Sequence, residues 1–440
     1  MRAPAIRFPG GRPWGWAALW GMFLGPMFFS TYIAALELTA MRAHVPTLVF
    51  SWERHIPFWA WTVVPYWSED LFYGLSLFVC RTRRELNTHA WRLVLAQAIA
   101  IPIFLLLPLR LTIAPPADTG IWQPWFDALG DVVGRPYNLA PSLHITIVLI
   151  LGAVYVRHVP WPWRAIVYVW GFLIGLSTLT AYQHHVFDIP TGALLGVFCM
   201  WALPEGRPSP FRGVSWTSDG RRLRLGAAYG LGAVLLTALA FGLGGWAWWL
   251  LWPATSVAVV SSAYLALGPG AFGKDERGRM DPSARWLLAP YLVAARINAW
   301  AFTRRLQAAE VAPGVRLGRV AEGSGAASVL DLTAELPAPA HDDWRCLPGL
   351  DLVAPSPERL RQGARHVEER VAAGSDVLVC CALGFSRSAA VVATWLVTSG
   401  RAADVDDAIA RVRAVRPVVL KEASRRAIEA AVRADREEVA

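Results

Sequence analysis

The segment from Cys381 to Ser388 combines a cysteine, a glycine, two serines and an arginine in a spacing that suits phosphate chemistry. Five residues separate Cys381 from Arg387, and an apolar run typical of a buried strand precedes the cysteine. A loop between a strand and the N-terminus of a helix points its backbone N–H groups at one bound anion. The positive field there also favours a nucleophilic thiolate. The segment is therefore predicted to bind a phosphoryl group and to attack it through sulfur.

The other polar residues of this segment have predicted roles of their own. Arg387 can hold two phosphoryl oxygens in one bidentate contact. Gly384 permits the tight loop, and Ser386 is expected to help bind the phosphoryl group. Ser388 can donate a hydrogen bond to the departing thiolate. The alternative is that Cys381 is a buried structural thiol in a phosphate-binding fold without catalysis.

Two polar clusters interrupt the apolar half of the chain, RPYNLAPSLH at 135–144 and STLTAYQHHVFD at 177–188. Ionisable residues at a membrane are costly unless they are paired, which makes them candidates for function. His184 and Asp188 share one face if their stretch is helical, and the carboxylate can then fix the tautomer of the imidazole. His144 of the other cluster would complete a nucleophile–acid pair. The alternative is a scaffold in which these polar side chains only pack.

The elements that must position these residues divide the chain into two parts. The 440 residues are 55% hydrophobic and 17% charged, with a mean hydropathy of +0.37, which is more apolar than a soluble domain. Long apolar runs fill the chain up to about residue 270, and most reach the roughly 20 residues that a spanning helix needs. We predict about eight spans, at 14–36, 56–80, 91–113, 143–156, 165–181, 186–203, 225–243 and 246–267.

The basic residues predict how these spans are oriented. They cluster before the first span, where Arg2 and Arg7 lie, and after the second, fourth, sixth and eighth spans. By the positive-inside rule both termini are cytoplasmic in a multi-pass inner or plasma membrane protein. The two polar clusters then face outward, and Cys381 lies on the cytoplasmic side.

From about residue 310 the composition is that of a soluble α/β domain. Short β-rich runs alternate with helical stretches; the runs lie at 315–320, 328–333 and 377–381. Helices are predicted from Ser356 to about residue 373, at 386–398 and at 405–415. We assign residues 1–270 to a polytopic helical membrane domain, 271–310 to a linker and 311–440 to the α/β domain.

The linker contains an ambiguous stretch at 283–305, in which arginine and asparagine stand among tryptophan and leucine. A central Arg296 would cost about 2.5–3.5 kcal/mol inside a bilayer. An amphipathic helix lying at the membrane interface is therefore favoured over a further span.

The strand, loop and helix around Cys381 resemble those of the cysteine-dependent dual-specificity phosphatases, and the resemblance covers roughly residues 311–435. It implies that Cys381 attacks phosphorus and that Arg387 holds the transferring group. It also implies that Asp351, in the stretch CLPGLD, protonates the leaving oxygen and later activates water.

Two points about this resemblance stay open at the level of the sequence. Asp342 or Asp343 is the alternative general acid, with Asp351 then an ordinary turn residue. The family usually has histidine before the nucleophile, where this chain has Cys380. We expect Cys380 to be a core residue, although a redox reaction with its neighbour is conceivable.

The two polar clusters resemble the phosphatidic acid phosphatase type 2 superfamily, whose signatures read K-x6-RP, PSGH and SR-x5-H-x3-D. The helical arrangement of that superfamily would cover about residues 56–205. The resemblance implies that His184 attacks phosphorus, that Asp188 orients it and that His144 protonates the leaving oxygen. Arg135 and Ser142 would bind the substrate.

This chain departs from those signatures at two cationic positions, since Ala128 stands for the lysine and Thr178 for the arginine. With the wording PSLH, these losses are similar to the branch that contains inositol phosphorylceramide and sphingomyelin synthases. That branch passes a phosphoryl head group to an alcohol instead of water.

The sequence therefore predicts a phosphoric monoester hydrolase that acts on lipid phosphates through Cys381, with a second, outward-facing lipid phosphatase or phosphotransferase site. The alternatives are a regulator that dephosphorylates protein phosphotyrosine or phosphoserine, and a head-group phosphotransferase. The expected partners are membrane lipids and lipid phosphates. Nucleic acid is not expected, because the net charge of +9 is spread over membrane loops. No metal-ligand spacing is present in the sequence, and neither chemistry needs a metal or another cofactor.

Overall fold

A computed structural model describes residues 11–133 and 135–439 of the chain. These residues form two compact units, one ending at Ser209 and the other beginning at Pro210. The first ten residues, with Arg2 and Arg7, lie outside the description. The second unit contains the last two predicted spans together with the α/β domain, whereas the sequence groups those spans with the other six.

The first unit is built from helices. They are α1 (Trp14–Ala40), α2 (Val63–Val79), α3 (Arg83–Leu106), α4 (Gln123–Val133), α5 (Leu143–His158), α6 (Trp161–Thr180) and α7 (Asp188–Ala202). By length and composition α1, α3 and α6 could each cross a membrane, while α5 and α7 are apolar but shorter. Each of the first six predicted spans thus corresponds to a helix.

The third predicted span lies earlier in the chain than its apolar run suggests. Thr82 starts α3 by accepting a hydrogen bond from the backbone N–H of Glu85. The helix ends at Leu106, just before Leu107 and Pro108. A residue that precedes proline disfavours helical geometry, which explains why the run at 107–113 lies outside the helix.

The second unit begins with α8 (Gly220–Leu243) and the segment Gly245–Phe272, which contains α9 (Leu251–Ser262). Both are apolar and long enough to cross a membrane, which brings the described segments of that kind to five. We call this pair the membrane hairpin. Asp219 starts it by accepting hydrogen bonds from the backbone N–H groups of Arg221 and Arg222.

The ambiguous stretch at 283–305 forms two short helices, α10 (Pro282–Leu287) and α11 (Ala289–Thr303). Along α11 four large apolar side chains are exposed: Val293, Ile297, Trp300 and Phe302. With 15 residues, α11 is too short to count among the helices of spanning length. Its exposed apolar side chains fit the predicted interfacial helix.

The α/β part of the second unit is a mixed sheet covered by helices. Its strands are β1 (Ala309–Ala312), β2 (Val315–Arg319), β3 (Ser328–Thr333), β4 (Trp344–Gly349) and β5 (Val377–Cys381). They lie in the order β1-β2-β5-β3-β4, and only β1 is antiparallel to its neighbour. The helices are α12 (Pro357–Ala372), α13 (Arg387–Thr398), α14 (Val405–Val415) and α15 (Glu422–Val439).

The three predicted strands and three predicted helices of this domain are confirmed, whereas β1, β4 and α15 were not predicted. Strand β5 is the centre of the sheet and is buried at all five positions, as a parallel strand covered on both faces should be. Because its carboxyl end meets the N-terminus of α13, the loop between them lies where α/β sheets commonly bind ligands.

Candidate active sites

The loop after β5 surrounds the sulfur of Cys381. Strand β5 ends at this cysteine and α13 begins at Arg387, so both ends of the loop are fixed by the core. The backbone N–H of Gly384 and the hydroxyl of Ser388 each donate to Sγ of Cys381 at 3.2 Å. Two donors aimed at one sulfur are suited to a negatively charged nucleophile.

Glycine is needed at position 384 for two reasons. Its φ is +75°, in the left-handed region that favours glycine. A Cβ at Gly384 would also lie 2.6 Å from the carbonyl oxygen of Gly318. The loop is further held by Arg416, whose Nη2 donates to the carbonyl oxygen of Leu383 at 3.1 Å.

The guanidinium of Arg387 is buried and held by two carboxylates and a carbonyl group. Its Nη2 donates to Oε1 of Glu335 at 2.6 Å and to Oδ1 of Asp351 at 2.9 Å. Its Nη1 donates to Oε2 of Glu335 at 2.9 Å and to the carbonyl oxygen of Gly349 at 2.8 Å. A phosphoryl oxygen that binds Nη2 must therefore displace the carboxylate of Asp351.

Glu335 was not predicted from the sequence, although it orients Arg387. Burial alone would raise the pKa of Glu335, but the adjacent Arg387 guanidinium lowers it below the ordinary value. The available signal was its position two residues after β3. Carboxyl ends of neighbouring parallel strands meet at one edge of a sheet, so an acidic residue there can reach the loop after β5.

Asp351 is the acid that the structure brings to the loop. Its side chain is 39% exposed, yet the surrounding protein partly removes it from water, and this burial raises its pKa above the ordinary value. A raised pKa helps a carboxyl group to keep its proton for donation near neutral pH. The alternative acids are placed otherwise, because Asp342 is exposed and Asp343 pairs with Arg370 at 2.9 Å.

Cys380 lies in the core of the sheet and not in the loop. Successive side chains of a strand point to opposite faces, so Cys380 and Cys381 belong to different apolar clusters. Burial raises the pKa of Cys380 well above that of an ordinary thiol. Cys380 is therefore a neutral thiol in the core, as expected from the sequence.

A pocket of about 180 Å³ lies beside Cys381. Its polar lining comprises Asp351, Cys381, Ser386, Arg387, Ser424 and two further basic residues, Arg221 and Lys421. Three cations around a small pocket suit the double negative charge of a phosphate monoester. Arg221 is notable because it lies in the first turn of α8, at the start of the membrane hairpin.

The linker is anchored in the α/β domain by a buried lysine. Nζ of Lys274 lies 2.5 Å from Oδ2 of Asp331, and both side chains are fully buried. The same nitrogen donates to Oγ1 and to the carbonyl oxygen of Thr333 at 2.7 and 2.9 Å. Burial alone would lower the pKa of Lys274, but the carboxylate of Asp331 raises it above the ordinary value. This buried ion pair thus fixes the chain that follows the membrane hairpin to β3.

In the first unit, the structure brings His184 and Asp188 together, but not on one helix. His184 lies in a turn that precedes α7, and α7 begins at Asp188. Nδ1 of His184 lies 3.0 Å from Oδ2 of Asp188. Its Nε2 lies 3.3 Å from Oγ of Ser142, which also caps α5. The carboxylate therefore fixes the ring, with Nε2 directed at Ser142.

His144 lies close to His184 and also contacts a carboxylate that the sequence analysis did not identify. The ring centres of the two histidines are 6.0 Å apart. Nε2 of His144 lies 3.3 Å from Oε2 of Glu69, in α2. An acidic residue inside a predicted span was the available signal for Glu69.

The two histidines border a cavity of about 380 Å³ within the first unit. Its polar lining comprises Glu69, Asp70, Asn138, His144, His184 and the tyrosines Tyr32, Tyr66 and Tyr73. None of the described lining residues is lysine or arginine. Arg135, the predicted phosphate-binding cation, forms an exposed ion pair with Glu37 at 2.9 Å.

The whole chain matches no family model. Solved structures similar to parts of it are dual-specificity or tyrosine-phosphatase-like phosphatases. Tk-PTP in its active form is 26% identical over 29% of this chain and 98% of its own, with a TM-score of 0.27. PTPMT1 in complex with PI(5)P is 16% identical over 30% and 97%, and human DUSP28 is 22% identical over 30% and 97%, both with TM-scores of 0.27.

Proposed function

We propose that the second unit is a cysteine-dependent phosphatase that acts on lipid phosphate monoesters. The observation that carries this proposal is the convergence of three groups on one small pocket. Two donors hold the sulfur of Cys381, Arg387 begins the helix after it, and Asp351 contacts that arginine at 2.9 Å. A nucleophile, an anion-binding group and an acid within one pocket suit phosphoryl transfer.

The reaction has two steps. In the first, the thiolate of Cys381 attacks phosphorus, the phosphorus–oxygen ester bond breaks, and Asp351 gives its proton to the leaving oxygen. In the second, Asp351 takes a proton from water, whose oxygen attacks phosphorus, and the phosphorus–sulfur bond breaks. Ser388 then donates its hydrogen bond to the released thiolate.

A lipid substrate is supported by what surrounds the pocket. The pocket belongs to the same compact unit as two apolar helices of spanning length. A site held at a bilayer meets lipid head groups at a high effective concentration. The exposed apolar side chains of α11 and nearby Arg304 and Arg305 suit an interfacial contact with anionic lipids. The proposed location is the cytoplasmic side of the membrane.

The test is phosphate release by the full-length protein in detergent micelles. Phosphatidic acid, phosphatidylglycerol phosphate and a phosphotyrosine peptide would be compared as substrates for the wild type and Cys381→Ser. Cys346→Ser is a matched control, because it replaces another buried cysteine of the same domain. We expect Cys381→Ser alone to abolish release from the lipids. Preference for the peptide would support a protein-directed regulator instead.

We propose a second activity for the first unit, the transfer of a phosphoryl head group between lipids. The pairing of His184 with Asp188, and of His144 with Glu69, supports a nucleophile and an acid. Nε2 of His184 would attack phosphorus as the bond to the diacylglycerol oxygen breaks, and His144 would protonate that oxygen. An acceptor alcohol would then lose its proton to His144 as its oxygen attacks phosphorus, and the nitrogen–phosphorus bond to His184 would break.

The charge of the membrane cavity favours transfer over the hydrolysis of a phosphate monoester. Its described lining contains two carboxylates and no lysine or arginine. The described lining therefore offers a doubly charged monoester no lysine or arginine, whereas a phosphodiester brings only one negative charge. Release of diacylglycerol from phospholipids should disappear in His184→Ala and persist in His55→Ala, which replaces an exposed histidine of the same unit. Equal activity in both variants would contradict this second activity.

A further inference from the structure

We propose that the membrane hairpin contributes to the phosphatase site. Tyr264 and Arg221 of the hairpin position the loop that carries the general acid, Asp351. This inference rests on the proposed phosphatase function. The loop in question comprises residues 350–354, between β4 and the start of α12. Two of its carbonyl groups accept hydrogen bonds from the hairpin, one from each of its two helical segments.

The contacts are made at the acid itself. The hydroxyl of Tyr264 donates to the carbonyl oxygen of Asp351 at 2.9 Å. Nε of Arg221 donates to the carbonyl oxygen of the next residue, Leu352. The hairpin therefore holds the peptide group on each side of Leu352, while the Asp351 side chain reaches Arg387.

This loop needs external support because its backbone conformation is unfavourable. Leu352 has φ of +58°, in the left-handed region that is unfavourable for a residue with a side chain. Its side chain is 52% exposed, so packing of that side chain does not offset the cost. The two hydrogen bonds from the hairpin help to hold this conformation.

The hairpin is rigid at the point where it makes these contacts. Tyr264 is almost completely buried, and its own carbonyl oxygen accepts a hydrogen bond from Nε of Arg222 at 3.0 Å. The two helices approach closely, since Oγ of Ser261 donates to the carbonyl oxygen of Gly226 at 2.7 Å. A Cβ at Gly226 would lie 2.6 Å from the Leu265 side chain. Displacement of the hairpin would thus be passed to the acid loop.

Arg221 also lines the catalytic pocket, so the hairpin contributes a cation to the substrate's surroundings. The loop that carries Asp351 is therefore assembled only when the hairpin is in place. Variants of the hairpin should change the position of the Asp351 carboxyl group.

A purely structural role and a positioning role predict different kinetics. Protonation by Asp351 is needed to expel an alkyl oxygen, as in phosphatidic acid, but not to expel dinitrophenolate, which is stable as an anion. Misplacing the acid should therefore slow hydrolysis of phosphatidic acid and leave hydrolysis of the dinitrophenyl ester unchanged. General loss of structure should slow both equally.

The experiment measures kcat for phosphatidic acid and for 2,4-dinitrophenyl phosphate with the full-length protein. The variants are Tyr264→Phe and Arg221→Gln, and the matched controls are Tyr229→Phe and Arg224→Gln, which change the same residue types within α8. Asp351→Asn provides the kinetic pattern of a lost acid. We expect Tyr264→Phe to lower kcat for phosphatidic acid roughly 10- to 100-fold and to leave kcat for the aryl substrate within about twofold. Arg221→Gln also removes a cation from the pocket, so it should lower kcat for both substrates, and for phosphatidic acid by the larger factor.

Three results would overturn the inference. One is equal loss on both substrates, which would indicate a role in folding alone. Another is wild-type kinetics for Tyr264→Phe and Arg221→Gln on phosphatidic acid while Asp351→Asn is impaired. The third is a wild type that hydrolyses neither substrate, which would overturn the proposed phosphatase function as well.

Discussion

Arg387 and Glu335 form a doubly hydrogen-bonded ion pair whose side chains are only 3% and 4% exposed. The pair fixes the plane of the guanidinium beside the nucleophile, since the glutamate occupies one nitrogen on each side of the fork. Asp351 takes a further position on the same guanidinium. In the free protein Glu335 therefore orients Arg387, and Asp351 occupies a further hydrogen-bond donor of the same guanidinium.

Removing the buried carboxylate should destabilise the second unit. Glu335→Gln leaves the charge of Arg387 without its buried partner, and breaking such a pair costs about 3–5 kcal/mol. Because the pKa of Glu335 is lowered in the folded state, its stabilisation is present above the ordinary glutamate pKa and is lost as pH falls through the lowered value. Chemical denaturation at several pH values measures this. The exposed Glu310→Gln is the control, and equal unfolding midpoints for both variants would refute the assignment.

The pH dependence of hydrolysis should report the general acid. Asp351 must be protonated to act in the first step, so turnover of a lipid phosphate should fall as pH rises through its pKa. That pKa is raised, which moves the fall toward neutral pH. Asp351→Asn should lower turnover by about 10²–10⁴-fold and remove this descending limb. A limb that persists in the variant would show that another group is the acid.

The two adjacent cysteines should differ in reactivity. Alkylation by iodoacetamide requires an accessible thiolate, and Cys380 is a buried thiol whose pKa is raised. Cys381 lines the pocket. Fragment mapping by mass spectrometry should therefore find the label on Cys381 and not on Cys380. Labelling of Cys380 in the folded protein would contradict its placement in the core.

Most of the local architecture around the nucleophile could be predicted from the sequence. The β5 run, the loop glycine and the start of α13 are encoded by adjacent residues, so their pattern reveals them. Glu335 and Lys274 could not be assigned, since their partners depend on which strands become neighbours. The sequence gives no order for β5 and β3, yet this order brings Glu335 to Arg387.

The candidate site of the first unit could also be predicted only in part from the sequence. The four-residue spacing of His184 and Asp188 indicated their contact, although a turn and not a helix produces it. Glu69 was missed because its contact with His144 requires α2 and α5 to pack together. Expectations about how many spans cross the membrane and on which side the termini lie stay predictions.

The buried lysine of the linker should be essential for the stability of the second unit. Lys274→Met leaves the carboxylate of Asp331 buried without its counter-ion, at a cost of about 3–5 kcal/mol. Arg279→Met removes a cation from an exposed pair with Asp275 and should cost at most about 1 kcal/mol. Thermal unfolding in detergent would compare the two. Equal effects would mean that the lysine does not anchor the hairpin to β3.

The most direct test is to identify the residue that carries the phosphoryl group during turnover. The full-length protein would be mixed with phosphatidic acid, quenched within one turnover and mapped by mass spectrometry under conditions that preserve both phosphocysteine and phosphohistidine. A phosphoryl group on Cys381 that is absent in Cys381→Ser is the predicted result. Two results would contradict the proposed phosphatase function. One is a phosphoryl group on His184 during phosphate release, and the other is an unchanged rate of phosphate release in Cys381→Ser.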